Sequence, residues 1–200
     1  MTNHQNDSSS KTTYDNVIFL DIDGVLNNDV TGYGGHHVYE DDLFSFTHET
    51  IKWDRECVDL LREVVNETNA VIVLSSSWRI NFSQAGIINM FRVYNWNNAP
   101  IVSRTPVFPK RSEGVIHDSP HHRWSSITPR CFEIKSWLNS NKVNRYVILD
   151  DMVPIEFTGF SDPNHHPDWA EMKHHYVHCS NAKMGFYQDL KDQAIEILRS

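Results

Sequence analysis

No run in this sequence approaches the ~18 uninterrupted apolar residues that a bilayer crossing needs. The first sixteen residues, MTNHQNDSSSKTTYDN, also lack the apolar segment that directs secretion. A soluble, cytoplasmic protein without a membrane partner is therefore the expectation. Basic residues are in the minority, 18 Lys plus Arg against 26 Asp plus Glu, for a formal charge of −8. That balance opposes a broad footprint of clustered cations on nucleic-acid phosphates. Cysteine is scarce: Cys57, Cys131 and Cys179 stand far apart with no CxxC, which argues against a disulfide framework or a thiolate zinc site and suits a reducing compartment. Glycine and proline number eight each, too few for a collagenous or low-complexity chain, and no internal repeat recurs.

What is present fits one ordinary domain: 200 residues, 40% of them apolar and 22% charged, enough to bury a core. Residues 1 to about 15 show no periodicity and read as a mobile tail, leaving 16–200 as a single domain. Val17-Ile18-Phe19-Leu20, Val71-Ile72-Val73-Leu74 and Tyr146-Val147-Ile148-Leu149 are short, continuous apolar runs, the pattern of strands buried on both faces. Weaker strands are expected at Ile101-Val102 and Tyr176-Val177. Helical spacing follows a capping Asp54 (Cys57, Leu60, Leu61, Val64, Val65) and recurs at Ile87, Ile88 and Phe91 and at Leu190, Ala194, Ile197 and Leu198. Thr128-Pro129 should open another helix, with Thr as cap, Pro in the first helical position and Ile134, Trp137 and Leu138 facing inward. This alternation predicts an α/β fold: a doubly wound, mainly parallel Rossmann-like sheet with helices on both faces.

In such sheets function gathers beyond the carboxyl ends of the strands. The three most apolar strands end there in acids or hydroxyls: Asp21 and Asp23, Ser75 and Ser76, Asp150 and Asp151. Gly24 permits the turn that lets Asp21 and Asp23 face one pocket. Acids crowded at one edge repel and raise one another's pKa, a conflict that a divalent cation removes. A few carboxylates with retained waters are the coordination Mg²⁺ prefers. Ser75 and Ser76 add hydroxyls, and backbone N–H groups beside them could hold phosphate oxygens.

With these pieces in order, the sequence resembles the haloacid dehalogenase-like (HAD) superfamily: VIFLDIDGV is similar to its first motif, VIVLS to its second and VILDD to its acidic fourth. The resemblance implies that Asp21 is the nucleophile, passing through an aspartyl-phosphate, and that Asp23 is general acid and then base. It also implies that Asp21, Asp23 (through its backbone carbonyl) and Asp150 or Asp151 surround Mg²⁺, with Ser75 on the phosphoryl group. The third motif, a Lys or Arg near the start of the helix before the fourth, has two candidates, Arg130 and Lys135. Arg130 is preferred, because it lies in the first turn and its planar fork suits a phosphoryl group. SSSWR and PRCFEIKSWL followed by YVILDD further resemble small HAD domains beside RNA-repair modules and in phage or bacterial single-domain proteins.

Two modest insertions, residues 28 to 50 and about 105 to 127, replace the large cap domains of that superfamily. Loops should then lid the pocket, with His36, Tyr39, Trp78 and Arg79 as substrate-binding candidates and an aromatic available to stack on a base. The resemblance implies a Mg²⁺-dependent phosphomonoesterase, with a small nucleotide favoured by the acidic charge. A polynucleotide-end phosphatase and a catalytically silent HAD-fold binding protein are the alternatives. The histidine pairs at 36–37, 121–122, 165–166 and 174–175 are poor chelators, since neighbours on an extended strand face opposite ways.

Overall fold

A computed structural model describes residues 11–33, 47–108 and 129–200. The described residues form one five-stranded sheet in the order β3-β2-β1-β4-β5, every pairing parallel. The strands are β1 (Thr13–Leu20), β2 (Val71–Leu74), β3 (Ile101–Arg104), β4 (Lys142–Asp150) and β5 (Tyr176–His178). The helices are α1 (His48–Ile51), α2 (Arg55–Thr68), α3 (Trp78–Asn81), α4 (Gln84–Val93), α5 (Arg130–Ser140), α6 (Pro154–Thr158), α7 (Pro167–Met172) and α8 (Gln188–Arg199). Among them no helix is long and apolar enough to cross a membrane.

The apolar runs are continuous because helices cover both faces of the sheet. Ile18 and Leu20 of β1, with Ile72, Leu74, Val147 and Leu149, pack beneath α2, α4 and α8. The alternate residues Val17 and Phe19, with Val73 and Ile148, pack under Ile134 and Trp137 of α5, Phe157 of α6 and Met172 of α7. All four residues from Val17 to Leu20 are fully buried, each contributing ~1.5–3 kcal/mol by its removal from water. As the spacing predicted, α2 starts after Asp54, whose Oδ1 accepts the backbone N–H of Glu56 at 2.9 Å.

Two boundaries differ from the sequence reading. β1 begins at Thr13 rather than Val17, so Thr13, Tyr14 and Asp15, assigned to the tail, are sheet residues paired alongside Lys142–Arg145. Both segments are polar and hold each other through parallel pairing and through Asn144, whose Nδ2 donates to Asp15 Oδ1 at 2.8 Å. Apolar periodicity carries no trace of such a pairing. α5 begins at Arg130, with Pro129 in extended conformation as its cap residue rather than inside the first turn. Residues 1–10 of the tail, most of the insertions read at 28–50 and 105–127, and Thr128 lie outside the described residues.

Candidate active site

Parallel register sets the first row of the site. The backbone N–H of Asp21 donates to Leu149 O, that of Ser75 to Leu20 O and that of Cys179 to Asp150 O, each at 2.9 Å. Asp21, Ser75 and Asp150 are thereby brought to one edge by the sheet itself, and all three are buried. Beyond Asp21 the chain closes a tight turn in which the N–H groups of Val25 and Leu26 donate to Ile22 O at 3.2 and 2.8 Å. Gly24 occupies this turn at φ +71°, and a Cβ there would stand 2.2 Å from Asp151 Oδ2. The fourth acidic group therefore reaches the site through space that only glycine leaves.

Carboxylate oxygens of Asp21, Asp150 and Asp151 lie within 4.8 Å of one another. One guanidinium nitrogen ties two of the acids together: Arg130 Nη1 lies 2.8 Å from Asp21 Oδ2 and 2.7 Å from Asp150 Oδ2. The opposite oxygens accept backbone donors, Asp21 Oδ1 from Ile22 N at 2.7 Å and Asp150 Oδ1 from Met152 N at 2.9 Å. Burial pushes Asp150 up to about 7 and Asp151 up to about 8. The Asp21 charge adds to both shifts, and Arg130 opposes them without cancelling them. Burial would lower the Arg130 pKa, but the Asp150 and Asp21 charges outweigh it and hold the guanidinium firmly protonated.

The donor set fits a Mg²⁺ ion. Three carboxylates supply hard oxygens with no imidazole or thiolate among them, and when all are ionised they carry more negative charge than the single Arg130 cation balances. Among the described residues this is the only cluster of three or more potential ligands. The described histidines do not join it: His165 pairs with Asp162 at 2.7 Å and His175 stacks on Tyr146 with ring centroids 4.1 Å apart. His178 Nε2 lies 3.0 Å from the Asp151 backbone oxygen.

Asp23 sits two residues past Asp21, and its two oxygens accept separate donors: Asn27 Nδ2 to Oδ1 at 2.8 Å and Trp78 Nε1 to Oδ2 at 2.9 Å. Ser75 Oγ is buried and has no hydrogen-bond partner. Ser76 Oγ accepts the Trp78 backbone N–H at 3.3 Å. Both hydroxyls belong to the loop that follows β2.

Three sequence expectations are corrected by this geometry. Trp78 is buried, with its indole committed to Asp23, so it offers no open ring face to a substrate. Arg79 is 2% exposed, and its guanidinium is used up by protein: Nη1 donates to the carbonyls of Ser75 and Ser76 at 2.8 and 2.6 Å, Nε to Thr105 O at 3.2 Å, and Nη2 pairs with buried Glu133. It braces the loop instead of meeting substrate. Lys135 pairs with Glu171 at 2.5 Å rather than with the clustered acids that Arg130 contacts. His36 and Tyr39 lie outside the described residues.

Asn27 and Glu133 were missed by sequence reasoning. Asn27 is four residues beyond Asp23 in a turn, a place where Asn ordinarily serves its own backbone, and it does accept Gly24 N–H at 2.9 Å. Glu133 lies on the apolar side of α5, and a lone acid at such a position is the one signal that could have flagged a buried partner.

A family model described as the HAD domain in Swiss Army Knife RNA repair proteins matches residues 17–189, from within β1 to the first turn of α8. No curated protein and no solved structure matches the chain.

Proposed function

The chain belongs to the HAD superfamily of hydrolases, and on that premise we propose that it is a Mg²⁺-dependent phosphomonoesterase in which Asp21 is the nucleophile and nucleotides are the substrates. The observation that carries this reading is the convergence of Asp21, Asp150 and Asp151 within 4.8 Å, braced by Arg130. Asp21, Asp150 or Asp151, and the Asp23 backbone carbonyl would hold the ion. When bound, it supplies charge neutralisation for the phosphoryl oxygens and for the crowded acids.

The residues of the chain then divide the work. Asp21, oriented by Ile22 N–H and Arg130, attacks phosphorus, and the ester P–O bond breaks as the aspartyl-phosphate forms. Asp23 gives its proton to the departing oxygen, which leaves as an alcohol. It next takes a proton from water as that water attacks the same phosphorus, releasing inorganic phosphate and restoring the Asp21 carboxylate. The otherwise unpartnered Ser75 Oγ donates to a phosphoryl oxygen, and Arg130 offsets its developing charge.

A second substrate reading is favoured by the matching family, whose description places such domains in RNA repair proteins: the terminal phosphate of an RNA strand. A net charge of −8 favours the smaller ester. Release of phosphate from mononucleotides and from 3′- and 5′-phosphorylated oligoribonucleotides, with Mg²⁺ or with EDTA, separates the two. We expect Mg²⁺-dependent turnover that falls by about 10³-fold or more in Asp21→Asn. Undiminished turnover in that variant would refute the nucleophile assignment, and a strong preference for oligoribonucleotides would move the substrate to RNA ends.

A further inference from the structure

The indole of Trp78 is buried, and its one polar atom is spent on Asp23, 55 positions earlier in the chain. Asn27 and Trp78, two of the donors to the Asp23 carboxylate, are themselves fixed. Trp78 is 4% exposed and wedged between Trp53 and Phe82, with ring centroids 5.9 and 5.6 Å away. Asn27 is fully buried, and its Oδ1 accepts Gly24 N–H, so its Nδ2 must face the other way, toward Asp23 Oδ1. Donors anchored on opposite oxygens stop the carboxylate from rotating about either side-chain bond.

We infer that Trp78 and Asn27 are positioning residues for Asp23, clamping its carboxylate so that one rotamer of the acid faces the departing ester oxygen. This inference rests on the phosphatase reading above. Proton transfer to a leaving group requires heavy atoms within hydrogen-bond reach at the moment of bond cleavage, and a freely rotating acid spends most of its time elsewhere. Trp78 is also the first residue of α3, directly after the Ser75–Ser77 loop, and its backbone N–H rests on Ser76 Oγ. The same residue thus ties the proton donor after β1 to the phosphate loop after β2.

Trp78→Phe removes the indole N–H while keeping an aromatic ring in the slot. The informative measurement is kcat/KM, which reports formation of the aspartyl-phosphate, for two esters: a nucleoside 5′-monophosphate, whose alkoxide needs a proton to leave, and p-nitrophenyl phosphate, whose phenolate leaves without one. The expected result is a fall of about tenfold on the nucleotide against a much smaller fall on the aryl ester. In combination with Asp23→Asn the nucleotide losses should not multiply, because both changes remove the same proton transfer. Asn27→Ala should reproduce the split, and it carries the test if the Trp78 variant does not fold. Equal losses on both esters, or losses that multiply with Asp23→Asn, would overturn the clamp while leaving the phosphatase standing. Wild-type protein inactive on both esters and on 3′- and 5′-phosphorylated oligoribonucleotides would overturn the phosphatase reading and the clamp with it.

Discussion

Gly24 and Asp151 compete for the same space: a side chain on the first would begin 2.2 Å from Oδ2 of the second and 2.4 Å from its Cγ. The turn after β1 and the acids after β4 are therefore shaped against each other, although 127 positions separate them. Gly24→Ala should displace Asp151, and the left-handed backbone at φ +71° adds a cost of ~1–2 kcal/mol for a residue with a Cβ. Thermal unfolding with and without Mg²⁺ tests both effects: a lower Tm, together with a much smaller stabilisation by the ion. An unchanged Mg²⁺ response would mean that Asp151 does not hold it.

Arg130 and Lys135 are about one and a half turns apart on α5 and should contribute very unequally to stability. Arg130→Met leaves Asp150 buried beside Asp21 without its cation, a loss of about 3–5 kcal/mol in unfolding free energy. Lys135→Ala removes an exposed pair with Glu171 and should cost under about 1 kcal/mol. Urea titrations of the two variants decide this, and comparable destabilisation would remove the structural basis for choosing Arg130.

Metal-free protein should weaken as the medium becomes alkaline. Asp150 and Asp151 keep their protons up to about 7 and about 8 in the folded chain, whereas an ordinary aspartate releases its own near ~4. Between those limits the native state binds more protons than the unfolded one, so stability falls as pH rises and then levels off above the higher pKa. Melting in EDTA at pH 5 and pH 8.5 should reveal the decline, and Asp151→Asn should flatten it. Adding Mg²⁺ at pH 8.5 should restore the lost stability. A Tm that rises across this window in EDTA would contradict the acid cluster.

Glu133 should be as intolerant as any core residue despite its charge. Its partner Arg79 is 2% exposed and bonded to four carbonyls, and burial lowers that guanidinium's pKa against the pull of Glu133. Glu133→Ala strands the cation, at about 3–5 kcal/mol. Glu133→Gln keeps an acceptor and should recover part of that loss in urea titrations. Equal stability of the Ala variant and the wild type would show that Arg79 finds its compensation elsewhere.

The layout of the sheet was legible because fully buried parallel strands must be continuously apolar, and Val17–Leu20, Val71–Leu74 and Tyr146–Leu149 are. The acids were legible because they interrupt those runs at a common edge. Illegible were the partners supplied across the fold. Nothing in SSSWR distinguishes an arginine that meets a substrate from one that holds carbonyls of its own loop, and nothing near Asp23 announces an indole 55 residues away. The polar start of β1 was hidden for a related reason: it is held by pairing with β4, Asp15 with Asn144 included, and not by an apolar run of its own.

The shared hydrogen-bond ladder beneath Asp21, Ser75 and Asp150 also constrains how such a chain can change in length. Side chains along a strand alternate between faces, so a one-residue deletion inside β1, β2 or β4 would invert a strand and send its terminal functional group to the wrong layer. Surface connections between elements tolerate lengthening far better. Gains and losses of residues during divergence should accordingly be concentrated outside these strands.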